Sequence, residues 1–260
     1  MIKTKTKLYN ISSVNATNGS YKSSVLVSLP DLTFHQEVIK KVSFSVEHCE
    51  VPNSFYIINY TNNLLVINNI QYLIQVGNYN VRTLINYLIT ILPTTFTFSY
   101  NSITNKLTFT NTSIFTINAS TSTINKIIGL SNTDLIGALS YNLPYVVNFL
   151  PIPRINFKSN YFKFNNYNTT DKTSDLFLSL QNNTGQLNMI NYINQTQTEF
   201  LLQDTNITTF NINVMDDYNN LINFNNIDWT MTLIFKIDFI DNSDSNINFN
   251  SIINNNSLNY

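Results

Sequence analysis

The sequence predicts a mainly β protein, an antiparallel strand framework with a small α+β subdomain set into it. Three observations carry this reading. Apolar residues recur at every second position in most stretches, as over 41–47 and 230–239, which is the period of a half-buried strand. Only the stretch between Gly77 and Pro93 holds a convincing helical spacing. That stretch lies inside a block, 50–129, with strand-like segments on both sides. At 260 residues the chain can bury one large all-β domain or two smaller ones, and two units suit the pattern better.

Taken in order, the chain opens with a polar leader. Val25, Val27 and Leu29 then share one face of a strand that Pro30-Asp31 stops. Over 41–47, Val42, Phe44 and Val46 alternate with Lys41, Ser43, Ser45 and Glu47. A one-residue slip would expose the whole apolar set, so the register is expected to be firm, with His48 continuing the apolar face as a hydrogen-bonded core residue. Strands at 64–67 and 71–76 bracket Asn68-Asn69, a turn pair that tolerates positive φ. The helix follows, capped by Asn80 or Asn78, with Val81, Leu84, Ile85, Leu88 and Leu92 on one face and Pro93 at its end. Phe96, Phe98 and Tyr100 alternate, a turn follows over 101–105, and Leu107 and Phe109 alternate back. A second short helix is expected from Thr121, with Ile124, Ile127 and Ile128 at helical spacing and Gly129 closing it. Pro144, Pro151 and Pro153 punctuate an extended stretch over 145–149. Leu176, Leu178 and Leu180 alternate, and Leu187, Met189 and Asn191 do so less neatly. The last strands lie at 212–215 and 230–239, separated by the turn Asp216-Asp217-Tyr218-Asn219-Asn220. The expected division is therefore a discontinuous framework, 1–50 and 140–240, an inserted α+β subdomain, 51–139, and an Asn-rich, low-complexity tail, 241–260. Such a tail by itself offers little apolar surface to offset its ordering entropy.

Composition excludes several function classes. Charged residues make up 11% of the chain and the net charge is −1, so no electrostatic footprint for nucleic acid exists. Basic residues cluster only at Lys3, Lys5, Lys7 and at Lys40-Lys41. Asn supplies much of the polar surface, roughly one residue in six. An AT-rich genome would enrich Asn, Ile, Phe and Tyr, but it would also enrich Lys, which is scarce. Low charge with 15 Tyr and 18 Phe is the composition of contact surfaces. The single cysteine, Cys49, excludes an internal disulfide and a CxxC metal site. The basic start, Met1 to Lys7, is followed by no apolar core, and no stretch approaches the ~20 apolar residues of a membrane span. Synthesis inside the cell without a signal peptide is expected. The Asn-x-Ser/Thr triplets at Asn59, Asn168 and Asn206 arise by chance in so Asn-rich a chain.

No catalytic, cofactor-binding or metal-ligating constellation emerges. His35 and His48-Cys49-Glu50 are the only candidates for histidine chemistry. Neighbours on a strand point to opposite faces, so His48 and Cys49 are poorly placed as a nucleophile and base, and a structural role is expected for each. Gly77, Gly129 and Gly137 stand alone, without a phosphate-cradling pattern. Asp216, Asp217, Asp228 and Asp241 could ligate calcium, but ordinary turn chemistry is the expected role. Trp229 is expected to be a core or interface anchor rather than a ligand-stacking platform.

Several segments, in order, resemble a known family. They are Val51-Pro52-Asn53-Ser54-Phe55-Tyr56-Ile57-Ile58-Asn59, Asn62-Asn63-Leu64, Gly77-Asn78-Tyr79-Asn80, Asn105-Lys106-Leu107-Thr108-Phe109 and Ile127-Ile128-Gly129-Leu130, then Val214 through Phe224 and Asp228 through Leu233. Together they are similar to the minor capsid or penton proteins of virophages, polinton-like viruses and related large eukaryotic DNA viruses, over most of 20–240. The resemblance implies an antiparallel jelly-roll sandwich with an insertion. It further implies a structural virion protein of an icosahedral shell, with the major capsid protein and other capsid subunits as partners. Homo-oligomers are implied too, a pentamer for a penton. It supplies no active-site residues to carry over, and no cofactor, nucleic acid or membrane span is expected. The alternative is a carbohydrate-binding or host-attachment jelly-roll module, whose sign would be exposed Tyr or Trp converging on a groove with Asn and Asp donors.

Overall fold

The computed structural model describes residues 2–29, 37–150, 152–159, 175–202 and 208–241. The expectations at Pro30-Asp31, His35, Pro151, Asn168, Asn206 and the tail beyond Asp241 lie outside the described residues. The chain divides into two compact units, Met1–Phe55 with Pro153–Tyr260, and Tyr56–Ile152.

The first unit begins with strands β1 (Ile2–Ser12), β2 (Ser24–Ser28) and β3 (Glu37–Pro52). The second holds β4 (Leu64–Ile67), β5 (Ile70–Leu73), helix α1 (Val81–Ile91), β6 (Phe96–Asn101), β7 (Lys106–Ile117), helix α2 (Asn125–Ile128) and β8 (Leu135–Asn142). The first unit resumes with β9 (Arg154–Lys158), β10 (Leu176–Gln181), β11 (Met189–Ile193), β12 (Phe200–Leu201), β13 (Thr209–Met215) and β14 (Thr230–Asp241).

All pairings are antiparallel, and those of the first unit follow one rule. Setting aside the two-residue β12, β1 pairs β14, β2 pairs β13, β3 pairs β11 and β9 pairs β10, so first meets last, second meets seventh, and so on inward. Two further pairings, β14 with β3 and β13 with β9, join these hairpin-like pairs into two sheets, β1-β14-β3-β11 and β10-β9-β13-β2. A ribbon of nested strand pairs rolled into two facing sheets is a jelly roll, as expected. In chain order the second unit falls between β3 and β9.

The core of this unit comes from period-2 alternation. Met231, Leu233, Phe235, Ile237 and Phe239 of β14 are buried beside Val42, Phe44 and Val46 of β3, while Ile155, Phe157, Phe210, Ile212 and Val214 are buried along the other sheet. Phe44 and Phe235 stack with centroids 5.7 Å apart. Each such side chain contributes ~1.5–3 kcal/mol of burial before entropy is charged.

Four details differ from expectation. His48 does not continue the apolar face. Opposite β14 the register jumps between His48↔Thr232 and Val46↔Leu233, so Glu47 is the extra residue of a β-bulge. The bulge inverts the alternation, and Cys49 and Val51 are buried while His48 is half-buried. The polar leader is a long strand, β1, fully registered against β14. Lys3, Lys5 and Lys7 stand opposite Phe239, Ile237 and Phe235, on the inward-facing side of an edge strand, where inward charge blunts edge-to-edge pairing. In β11 the buried residue is Ile190, with Met189 exposed. Residues 145–149 are irregular, and the strand of this region is instead β8, on the edge of β7 away from β6.

In the second unit local signals are met closely. Asn68 and Asn69 adopt φ 52° and 61°, the two positive values a two-residue hairpin turn requires. Asn80 caps α1 through a capping box, its Oδ1 accepting from Thr83 N at 3.0 Å while Thr83 Oγ1 accepts from Asn80 N at 3.0 Å. Asn78 instead accepts from Ile57 N at 2.9 Å. Leu84 and Leu88 point into a core with Ile58, Leu65, Phe109 and Phe115. Gly129 ends α2 at φ 80°, and a Cβ there would stand 2.2 Å from Tyr145 O, so only glycine fits.

Candidate contact surface

The residues singled out for chemistry lie apart from one another. Cys49 is fully buried, and burial, then the neighbouring Glu50 carboxylate, push its thiol up far beyond the ordinary range. His48 lies on the opposite face, its Nε2 3.7 Å from Glu50 Oε1 across half-exposed side chains. Asp216 closes its own turn, Oδ1 accepting from Tyr218 N and Asn220 N at 2.8 Å each. Asp217 takes Arg154 Nε at 3.2 Å and Asn156 Nδ2 at 3.1 Å. Asp228 takes Ser13 Oγ at 2.8 Å, and Asp241 is the last residue of β14. These carboxylates serve separate turns, and the described residues hold no group of three or more His, Cys, Asp or Glu that could bind a metal ion. Gly77 pairs its backbone with Ile58, and Gly137 opens onto free space. No helix of the described residues is long and apolar enough to cross a membrane.

A different set of residues converges. The pairings Ser12↔Thr230, Pro52↔Met189, Ser24↔Asn213 and Gln181↔Arg154 bring four links to one end of the first unit: 13–23, 53–55, 182–188 and 216–229. Buried polar groups knot them together. Trp229, fully buried, meets Phe157 edge-on at 5.3 Å and donates from Nε1 to Lys22 O at 2.6 Å. Ser13 N donates to Trp229 O at 3.0 Å, and Ser13 Oγ accepts from Trp229 N at 3.0 Å while donating to Asp228. Ser54 Oγ donates to Phe224 O at 2.7 Å, Asn225 Nδ2 returns a bond to Ser54 O at 2.6 Å, and Phe224 N donates to Tyr21 O at 3.0 Å. Asn53, 1% exposed, donates from Nδ2 to Thr184 O at 3.0 Å and Gly185 O at 3.1 Å. Its backbone binds Asn188 O and Leu187 N, each at 2.9 Å.

On this knot sit large apolar side chains turned outward: Val14, Leu187, Tyr218 and Ile227, with Leu187 79% and Tyr218 67% exposed. Leu187 holds φ 63°, a left-handed conformation costing a non-glycine residue ~1–2 kcal/mol, and the Asn53 carbonyl fixes it there. Sequence reasoning placed Asn53, Ser54, Phe224 and Trp229 within segments of resemblance but gave Asn53, Ser54 and Phe224 no role, set Leu187 in an alternating strand that in fact begins only at Met189, and missed Ser13. A buried serine with partners 215 and 216 residues away leaves no local signal.

Comparison with known proteins gives a match in structure only. No family model matches the sequence, and no curated protein does. The structure is similar to the mavirus penton protein, at 12% identity over 90% of this chain and 99% of that one, with a TM-score of 0.45. It is similar also to a chain in the cryo-EM structure of the Sputnik virophage, at 14% identity over 92% and 99%, with a TM-score of 0.44.

Proposed function

We propose that the protein is a structural subunit of an icosahedral DNA-virus shell, occupying a penton or minor capsid position and working through contact with the major capsid protein and its own copies. The observation that carries this reading is the knotted end of the jelly roll. A loop cluster fixed by buried hydrogen bonds holds Val14, Leu187, Tyr218 and Ile227 in water, although each would be more stable buried. Exposed apolar side chains gathered at one end of a domain mark an interaction site, and preorganised ones lose little entropy on docking. The low charge of the chain suits permanent neighbours. Of the segments that gave the family resemblance, 214–224, 228–233 and the first part of 51–59 build this end, and the others lie in the second unit.

The role is one of burying complementary surface, with no chemical step. Purified source particles analysed by mass spectrometry and cryo-EM should contain this chain at the shell, as a five-fold ring for a penton; particles lacking it would overturn the proposal. Leu187→Asp and Val14→Asp should leave stability within ~0.5 kcal/mol, as surface changes do, and should block incorporation into particles on co-expression with the major capsid protein.

A further inference from the structure

Asn18-Gly19 is the only Asn-Gly pair in the chain, and it lies in the 13–23 link of the knotted end. Asparagine is thermolabile because its side-chain carbonyl carbon is open to attack by the backbone nitrogen of the residue that follows, and glycine, without a Cβ, leaves that nitrogen unobstructed. Gly19 is exposed, with open space where a Cβ would stand. The fold nevertheless holds the two reacting atoms apart. At ψ 30° of Asn18, Gly19 N stands close to anti to Cβ across the Cα–C bond, whereas closing the five-membered ring needs the two nearly eclipsed. The amide is tied down as well. Its Oδ1 accepts from Ser23 N at 3.1 Å and Ser24 N at 3.2 Å, and its Nδ2 donates to Ser23 Oγ at 2.8 Å, on a fully buried serine.

This amide closes the base of a loop on which the knot depends. Four successive carbonyls of the loop take donors from 214–229: Ser20 O from Asn226 N at 2.8 Å, Tyr21 O from Phe224 N at 3.0 Å, Lys22 O from Trp229 Nε1 at 2.6 Å and Ser23 O from Val214 N at 2.8 Å. We infer that Asn18 is a latent self-modification site, protected while this loop is closed and converted to aspartate or isoaspartate when it opens. In the open loop Gly19 N bonds to Asn18 Cγ and the Cγ–Nδ2 bond breaks. The proton of Gly19 N passes through solvent to the departing Nδ2, which leaves as ammonia. Water then opens the succinimide at either carbonyl. Attack at Cγ gives aspartate on an unchanged main chain. Attack at the α-carbonyl gives isoaspartate, whose main chain runs through Cβ and Cγ. The oxygen that served Ser23 N and Ser24 N then belongs to the lengthened main chain, so the native closure cannot re-form and the opening becomes permanent. Since conversion requires the open loop, its rate in the folded protein is the unfolded rate scaled by the open fraction.

The test is peptide mapping by mass spectrometry on the full chain kept in mildly alkaline buffer, folded and in urea, reading the mass gain of an amide turned carboxyl. In urea Asn18 should convert faster than any other asparagine, and in the folded protein at least roughly tenfold more slowly than in urea. Ser23→Ala removes the acceptor of Nδ2, and Trp229→Phe frees the Lys22 carbonyl. In either variant, with β14 amides still protected from exchange, the folded rate should rise several-fold while the rate in urea stays the same. Isoaspartate-containing folded protein should show faster amide exchange at Ser23 and Ser24. Equal rates folded and in urea, another asparagine outpacing Asn18 in urea, or a folded rate that neither variant raises would overturn the inference.

Discussion

Replacing Asn53 with Ala tests whether the knotted end is held by its buried polar groups. The substitution removes the amide that serves the Thr184 and Gly185 carbonyls at 3.0 and 3.1 Å, with Asn182 Oδ1 more distant at 3.3 Å. Each carbonyl left without a donor costs ~1–3 kcal/mol, and water entering the space recovers part of it, so a loss of about 2–4 kcal/mol is expected. The assay is urea unfolding followed by the fluorescence of Trp229, the only tryptophan and a buried residue of the first unit, which makes the signal specific to that unit. With an m-value of ~2 kcal/mol per molar, the midpoint should fall by about 1–2 M at unchanged slope. Asn53→Asp gives the internal control. A carboxylate facing two carbonyls is disfavoured, so the new carboxyl has a raised folded-state pKa, and its variant should be more stable in acid and lose stability as pH rises through the carboxylate range. A midpoint within ~0.3 M of wild type for Asn53→Ala, or no pH trend for Asn53→Asp, would refute the reasoning.

Gly129→Ala should destabilise the second unit by more than about 2 kcal/mol, since it combines φ 80° with a Cβ 2.2 Å from Tyr145 O. Exchange rates of the α2 and β7 amides should rise while those of β14 stay fixed. Asn80→Ala should cost ~1 kcal/mol by removing the capping box of α1, read as faster exchange at Thr83, and Asn80→Asp should retain most of the cap. The hydrogen bond from Lys236 holds the Glu199 carboxyl below its ordinary range. Its contribution is therefore present above the usual carboxylate pKa and lost as pH falls through the lowered value. Lys236→Met should flatten that acid limb in Trp229-monitored unfolding, with a change under ~1 kcal/mol at neutral pH because both side chains are substantially exposed.

What the sequence disclosed depended on how far away each residue's partners lie. Asn80, Asn68-Asn69 and Gly129 act within a few residues of themselves, and their roles as cap, turn and helix stop were readable. The alternation at 41–47 was readable too, because a strand buried on one face must repeat every second residue. The bulge at Glu47 was not, since it is set by the register of β14, whose Thr232 and Leu233 lie far along the chain. β1 escaped notice because its inward positions carry Lys3, Lys5 and Lys7; at a sheet edge long cationic side chains can lay their stems on the core and keep their ends wet, so the apolar signature of a strand is missing. Asn53 was invisible as an anchor because its acceptors lie 129 to 132 residues on.

At the knotted end, the segments of family resemblance and the exposed apolar side chains are mostly different residues. Segments 51–55, 214–224 and 228–233 supply Asn53, Ser54, Phe224 and Trp229, all buried, whose bonds set the path of the loops. Of the four exposed side chains, Tyr218 lies inside the second segment, and Val14, Leu187 and Ile227 lie outside all three. The buried residues of these segments therefore set a loop geometry, and most of the exposed apolar side chains on it come from outside the segments. Leu187 is the hinge between the two levels, since its exposed side chain belongs to the surface while its N–H is held by the buried carbonyl of Asn53. It follows that changes at Val14 and Ile227 should leave the fold as it is, whereas Asn53→Ala, which keeps the backbone carbonyl that holds Leu187 N but removes the amide bound to Thr184 O and Gly185 O, should loosen the 182–188 link that carries Leu187.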